Sequence, residues 1–413
     1  MENFTLLLKK YADFIVRVGV NPQPGQTLVI NCCLEAAPLA RLCVRSAYEA
    51  GARDVLVNWS DNDVSRSRME LGSEEALTDF KSYQLRRYLD YAESEGGVCV
   101  LHILADDPEV YAGLDGAKIS RVNAAQRKFM APWREYTMND RVQWSIAAMP
   151  SAPWAKKIFP ELDEAAAIEK LWQLIFDVCR VTGGDPVNEW KAHLDRLTGL
   201  KDKMNALDLE SVHFESGNGT DLTVGIADKA TWESAASVSE KGVVFLPNIP
   251  TEEVFTAPHK DKVNGIVYGT KPYVFNGQLI KGFHVTFKDG RVVEHGADEG
   301  AELLGRLLDT DEGARSIGEV ALVPASSPIN RSGALFYSTL FDENAACHIA
   351  FGASYPGTTE SGTRLTKDEL LARGMNQSAI HEDVMVGAED SHITGKCRDG
   401  RTVELFRDGV WVL

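Results

Sequence analysis

Three apolar runs in the C-terminal half of this 413-residue chain carry an acid or a histidine where a buried strand ordinarily carries neither. In Ile317-Gly318-Glu319-Val320-Ala321-Leu322-Val323, strand alternation predicts Glu319 on one face with Ile317, Ala321 and Val323. Burying an unpaired carboxylate costs several kcal/mol, of the order of a domain's net stability. The run holds no lysine or arginine, so a bound metal ion is the economical counter-charge. His381-Glu382-Asp383 leads into Val384-Met385-Val386. Strand positions two apart share a face, so His381 and Asp383 project together while Glu382 points away. One imidazole and one carboxylate on a rigid element suit zinc, cobalt or manganese. His348 lies in the third run, Ala346-Cys347-His348-Ile349-Ala350-Phe351. Glu343 precedes it by five residues, a spacing that shares a face on neither helix nor strand, so Glu343 joins the set only from a loop before the strand.

Each residue alone has a plainer reading: a satisfied core histidine, or a glutamate at a sheet edge. What points to a metal site is the recurrence of acid and histidine in three runs without basic residues to compensate them.

The elements that must position these residues divide the chain in two. Residues 4–18 predict a helix with Leu7, Tyr11, Phe14, Ile15 and Val18 on one face, ended by Asn21-Pro22-Gln23-Pro24-Gly25. Strand 27–30, helix 35–50 and strand 54–59 form a βαβ unit, which requires a parallel sheet. Further strands are expected at 98–104 and 143–148, and helices at 122–129, 162–179 and 187–204. A GxGxxG or phosphate-cradling loop is absent, so no nucleotide site is read. His102 and His193 read as structural. After Leu207 the pattern changes to short strands with Asp-Gly turns at Asp289-Gly290 and Asp408-Gly409, the signature of hairpins. A helix is expected over 301–308. The fold class is therefore α/β in two domains. Residues 1–207 form a doubly wound, mostly parallel N-terminal domain. Residues 208–413 form a mixed, largely antiparallel α/β C-terminal domain that carries the metal site. His213, His259, His284, His295 and His392 fall near turns and are assigned no metal role.

The segments Pro247-Asn248-Ile249-Pro250-Thr251-Glu252-Glu253-Val254-Phe255-Thr256-Ala257-Pro258, Ile317-Gly318-Glu319, Asn344-Ala345-Ala346-Cys347-His348-Ile349-Ala350-Phe351-Gly352, Tyr355-Pro356 and His381-Glu382-Asp383 resemble the aminopeptidase S and aminopeptidase T family of bacterial co-catalytic metallo-aminopeptidases. The likeness covers the chain in length and layout, with its specific motifs in the second half. The resemblance implies Glu253, Glu319, Glu343, His348, His381 and Asp383 as ligands of two divalent metal ions per chain, zinc or cobalt, with magnesium or manganese as further candidates. It also implies Glu319 as the bridging ligand, Tyr355 as an active-site phenol, short peptides with a free N-terminus as substrates, and a homodimer. Glu252, beside Glu253 on extended backbone, is expected to face away and to be replaceable at little cost. Two other readings stand beside this one. A dinuclear phosphoesterase would need cations near its acids, and Arg331 is the one candidate. A non-catalytic metal protein would have closed coordination.

With 60 acids against 43 lysines and arginines, the chain has a formal net charge of −17, which argues against nucleic acid or an anionic membrane as a partner. The seven cysteines form no CxxC and read as buried free thiols of a reducing compartment. Cys347 projects opposite to His348 and is not read as a nucleophile. No leader or membrane span is predicted, and the expected location is the cytoplasm.

Overall fold

Four apolar runs of the first half become the strands Thr27–Cys33 (β1), Asp54–Ser60 (β2), Val98–Leu104 (β3) and Trp144–Ala148 (β4) of a parallel sheet in the computed structural model, which describes residues 3–413. The strand order is β2-β1-β3-β4. The chain moves one way from β1 to β2 and then returns past β1, so right-handed crossovers place helices on both faces, as a doubly wound sheet requires. The first helix, Phe4–Phe14, buries Tyr11 and Phe14 and continues as a wider π-helical turn over Ile15–Val20. His102, on β3, has its pKa pushed down to about 4 by burial and stays neutral, as a structural histidine should.

The chain forms two compact units. The first comprises Met1–His193 and Ala236–Pro250, the second Leu194–Ala235 and Thr251–Leu413. The excursion 236–250 therefore belongs with the parallel sheet. There the Ile146 N–H donates to the Pro247 carbonyl at 2.7 Å, and the Ile249 N–H donates to the Ile146 carbonyl at 3.0 Å, so this backbone lies along β4.

The second unit contains an eight-stranded antiparallel sheet, including the hairpins His284–Lys288/Arg291–Gly296 and Thr402–Arg407/Val410–Trp411. Both Asp-Gly pairs have positive φ at each residue, the primed turn that matches strand twist. A five-stranded antiparallel sheet carries the residues of interest, in the order His381–Met385, His348–Gly352, Ile317–Leu322, Val254–Thr256, Glu233–Ser234. Val320, Leu322, Ile349, Phe351 and Val384 point into one apolar core together with Leu303, Leu304, Leu307 and Leu308 of the helix Ala301–Leu308.

Ile317 departs from the alternation expected of it. It pairs with Phe351 while Glu319 pairs with Ala350, so Gly318 is the extra residue of a bulge. The bulge turns Ile317 into the apolar core, opposite to Glu319. A Cβ on Gly318 would lie 2.3 Å from the Ala353 carbonyl carbon and 2.4 Å from the Gly352 oxygen, both main-chain atoms that cannot swing aside. Gly318→Ala should therefore cost about 1–3 kcal/mol through overpacking. Urea unfolding of the variant checks this, and a wild-type midpoint would show that the bulge yields freely.

Among the described residues, no helix is long and apolar enough to cross a membrane.

Candidate metal centre

The face of the five-stranded sheet opposite its apolar core gathers five of the six residues that sequence reasoning singled out as ligands. Glu319 pairs laterally with Ala350 and Ala350 with Asp383, while His348 pairs with Ala321 and His381 with Gly352. These registers put Glu319, His348, His381 and Asp383 on one face of three adjacent strands. Glu253 precedes the strand Val254–Thr256, where alternation with Phe255, the partner of Ala321, brings it to the same face.

The distances are short and the arrangement has a centre. His348 Nε2 lies 3.1 Å from Glu253 Oε2 and 3.5 Å from Glu319 Oε1. His381 Nε2 lies 3.7 Å from Glu319 Oε2 and 3.5 Å from Asp383 Oδ1. The two oxygens of Glu319 thus face different imidazoles. One ligand atom each from Glu253, Glu319 and His348 falls within 4.8 Å of the others, and so does one each from Glu319, His381 and Asp383. Glu319 is common to both sets. The five side chains are 1–13% exposed.

Both imidazoles are oriented from behind. His381 Nδ1 is 2.7 Å from the Ala353 carbonyl and His348 Nδ1 is 3.3 Å from the Ala346 carbonyl. A carbonyl only accepts, so each Nδ1 carries the hydrogen and each Nε2 is turned to the carboxylates, the usual support of a metal-binding histidine. Among the described residues, no lysine or arginine pairs with Glu253, Glu319 or Asp383. Mixed carboxylate and imidazole donors at these separations, with no lysine or arginine paired to those three carboxylates among the described residues, fit divalent ions of the zinc, cobalt or manganese kind.

Without a cation, protons do the balancing. Burial pushes the Glu319 carboxyl up to about 7, against the pull of its hydrogen bond to His348. Burial disfavours imidazolium at His381, yet Asp383 and Glu319 outweigh it and lift the group to about 9. His348 is raised in the same way: burial opposes the charge, and hydrogen bonds to Glu253 and Glu319 override it. For Asp383, burial is overridden by His381, which holds the carboxyl below the usual carboxylate range. Groups that hold protons near pH 7 must release them to ligate, so uptake of zinc by the metal-free protein should liberate protons and tighten as pH rises. Calorimetry in two buffers of different ionisation enthalpy reads this directly, and identical heats in both would contradict it.

Glu343 sits in the place its spacing demanded, at the start of a single 3-10 turn, Glu343–Ala345, directly before the His348 strand. It is buried, and burial followed by the Asp383 and Glu253 charges raises its carboxyl well above the ordinary value. Its oxygens are in neither of the two tight sets. Tyr355 presents its ring edgewise to His381, with centroids 4.6 Å apart. Burial, then the charges of Glu319 and Asp383, push its phenol well above 10, so the hydroxyl keeps its proton and can donate it in a hydrogen bond. Cys347 is also protonated, pushed up to about 11 by burial, with its Sγ 3.3 Å from the Val323 carbonyl. All seven cysteines are free and buried.

Glu252 differs from expectation. It is only 1% exposed, its carboxylate pairs with Arg196 at 3.5 Å, and its N–H donates to Asn344 Oδ1 at 2.7 Å. Its replacement is therefore a loss in a buried network rather than a surface change. Sequence reasoning also missed Asn344 and the Ala346 and Ala353 carbonyls. The signal for Asn344 was the polar triplet Asp342-Glu343-Asn344 immediately before an apolar run.

Carboxylates and Nε2-directed histidines grouped around one shared glutamate, on an antiparallel sheet of an α/β chain with a doubly wound N-terminal sheet, define the class: an α/β protein with a candidate metal centre. Residues 4–411 match the model of the thermophilic metalloprotease (M29) family, and the chain belongs to that family. It is 45% identical over 411 residues to aminopeptidase 2 of Geobacillus stearothermophilus, with 100% of this chain and 99% of the relative covered. It is 41% identical over 413 residues to aminopeptidase T of Thermus aquaticus, with both chains covered completely. The solved structure of wild-type AmpT from Thermus thermophilus superposes with a TM-score of 0.91 at 37% identity, covering 99% of this chain and 100% of that one.

Proposed function

We propose that the protein is a metallo-aminopeptidase that releases N-terminal residues from short peptides using two divalent ions. The observation that carries the two-ion reading is the sharing of Glu319 between two sets of three ligands. Full-length similarity to proteins named aminopeptidase carries the choice of substrate. When bound, such a pair supplies Lewis-acid polarisation of the scissile carbonyl and a water acidic enough to react near neutral pH.

The chain's own part is to hold and to orient. Glu319 would be the ligand common to both ions, with Glu253 and His348 completing one set and His381 and Asp383 the other. Glu343, from the turn before the His348 strand, is the sixth ligand in this proposal. The Tyr355 hydroxyl donates a hydrogen bond to the oxygen on which negative charge develops as the peptide bond is attacked. The free α-amine of the substrate is recognised within the same centre. We extend the proposal to a homodimer acting in the cytoplasm, where seven buried free thiols stay reduced. The phosphoesterase reading gains nothing here, because Arg331 is exposed at the end of the short helix Pro328–Arg331.

Chelation should abolish hydrolysis of free peptides and of amino-acyl chromogenic amides, and zinc or cobalt should restore it. Acetylating the peptide's N-terminus should eliminate cleavage by the reconstituted enzyme. Equal turnover of acetylated and free peptides would indicate an endopeptidase or esterase, and full activity after exhaustive metal removal would defeat the metal-dependent mechanism.

A further inference from the structure

Asn344 is fully buried and hydrogen-bonds both to the main chain next to Glu253 and to the Glu343 carboxylate. Its side-chain oxygen accepts the Glu252 N–H at 2.7 Å. Its side-chain nitrogen donates to the Leu340 carbonyl at 3.1 Å and to Glu343 Oε1 at 3.3 Å. Its own main-chain carbonyl accepts the Ser327 hydroxyl at 2.8 Å. The amide can sit only one way round. Reversed, it would set NH2 against the Glu252 N–H and its oxygen against a carbonyl and a carboxylate.

We infer that Asn344 is a positioning residue of the metal centre, one amide that sets the backbone carrying Glu253 and the carboxylate of Glu343 relative to each other. The inference rests on the reading of this cluster as a metal centre. Glu252 is gripped at both ends, by Asn344 at its N–H and by Arg196 at its carboxylate, so the residue next to Glu253 has little freedom. Glu343 begins the single turn that places Asn344, and Asn344 in turn holds the Glu343 carboxylate by an N–H donor. A local turn and a segment about ninety residues away in sequence are thereby tied to the same site. Partners that orient ligands in this way typically contribute about 10–100-fold to metal affinity.

Two substitutions separate the two contacts. Asn344→Asp keeps an acceptor for the Glu252 N–H but loses both donors and sets a carboxylate against Glu343. Asn344→Ala loses both contacts. Metal-free wild-type and variant proteins are titrated with Co²⁺ while affinity, stoichiometry and the cobalt absorption spectrum are followed, alongside melting temperature. Cobalt affinity should fall about 10–100-fold in both folded variants, with an altered spectrum. A lowered melting temperature with wild-type cobalt affinity and spectrum would assign Asn344 to packing and overturn the inference. Should neither variant fold, Ser327→Ala removes the hydroxyl that holds the Asn344 carbonyl, together with the cap that the same oxygen gives the Asn330 N–H of the short helix Pro328–Arg331. A change in its cobalt spectrum supports the inference and an unchanged spectrum overturns it. If the wild-type protein itself binds no Co²⁺, the metal-centre reading fails first and the inference falls with it. If wild type binds and the variants bind identically, the inference alone fails.

Discussion

Glu319→Gln is expected to lower kcat by ~10³-fold or more, because it removes the one side chain shared by both ligand sets. A Lewis acid at a carbonyl is worth several kcal/mol of transition-state stabilisation, and each 1.36 kcal/mol is about a decade in rate. The amide has the size of the acid, so the loss does not come from a cavity. It cannot carry the negative charge that faces His348 and His381 from its two oxygens. Stability should move the other way in the metal-free protein. A buried carboxyl raised to about 7 contributes stability below the ordinary carboxylate range and loses it as pH climbs to about 7. The amide never ionises, so at about pH 8 the metal-free variant should melt no lower than metal-free wild type. Metal content, melting temperature and kcat measured together decide the matter. Retained stoichiometry with near-normal turnover would remove Glu319 from the bridging position.

Tyr355→Phe should leave metal content and melting temperature unchanged and lower kcat by about 10²–10³-fold, the usual consequence of losing one hydrogen-bond donor to a developing oxyanion. The ring is what touches His381, edge-on at 4.6 Å, and phenylalanine keeps the ring. If Tyr355 only packs against the histidine, the variant should turn over like wild type. A fall in kcat with little change in KM would place the hydroxyl's contribution in the transition state, since uniform binding would appear in KM instead.

The strongest features of this molecule are visible in its residue pattern for identifiable reasons. Continuous apolar runs such as Val98–Leu104 became central parallel strands because such strands are covered on both faces. The Asp-Gly hairpins were readable because few pairs other than Asn-Gly, Asp-Gly and Gly-Gly accept two successive positive φ angles cheaply. Glu319, His348, His381 and Asp383 stood out because a charge in an apolar run needs a physical reason. What escaped was whatever leaves no period in the sequence. The bulge at Gly318 shifts alternation by one residue, which sent Ile317 to the wrong face. The two-residue strands Glu233–Ser234, Ser237–Val238 and Val244–Phe245 are too short to show alternation. Asn344, Ala346 and Ala353 act through or upon main-chain groups, and no side-chain pattern encodes a carbonyl's direction.

The return of Ala236–Pro250 to the first unit has a consequence for recombination between relatives. A fragment ending at His193 would encode all four parallel strands yet leave β4 without the backbone that pairs with Ile146. A bare strand edge of that kind recruits other chains, and the fragment should associate edge to edge. A single crossover after residue 193 would likewise match one parent's sheet to the other parent's edge cover. Hybrids that respect the architecture need three junctions, after His193, Ala235 and Pro250, so that the cover travels with the sheet it closes.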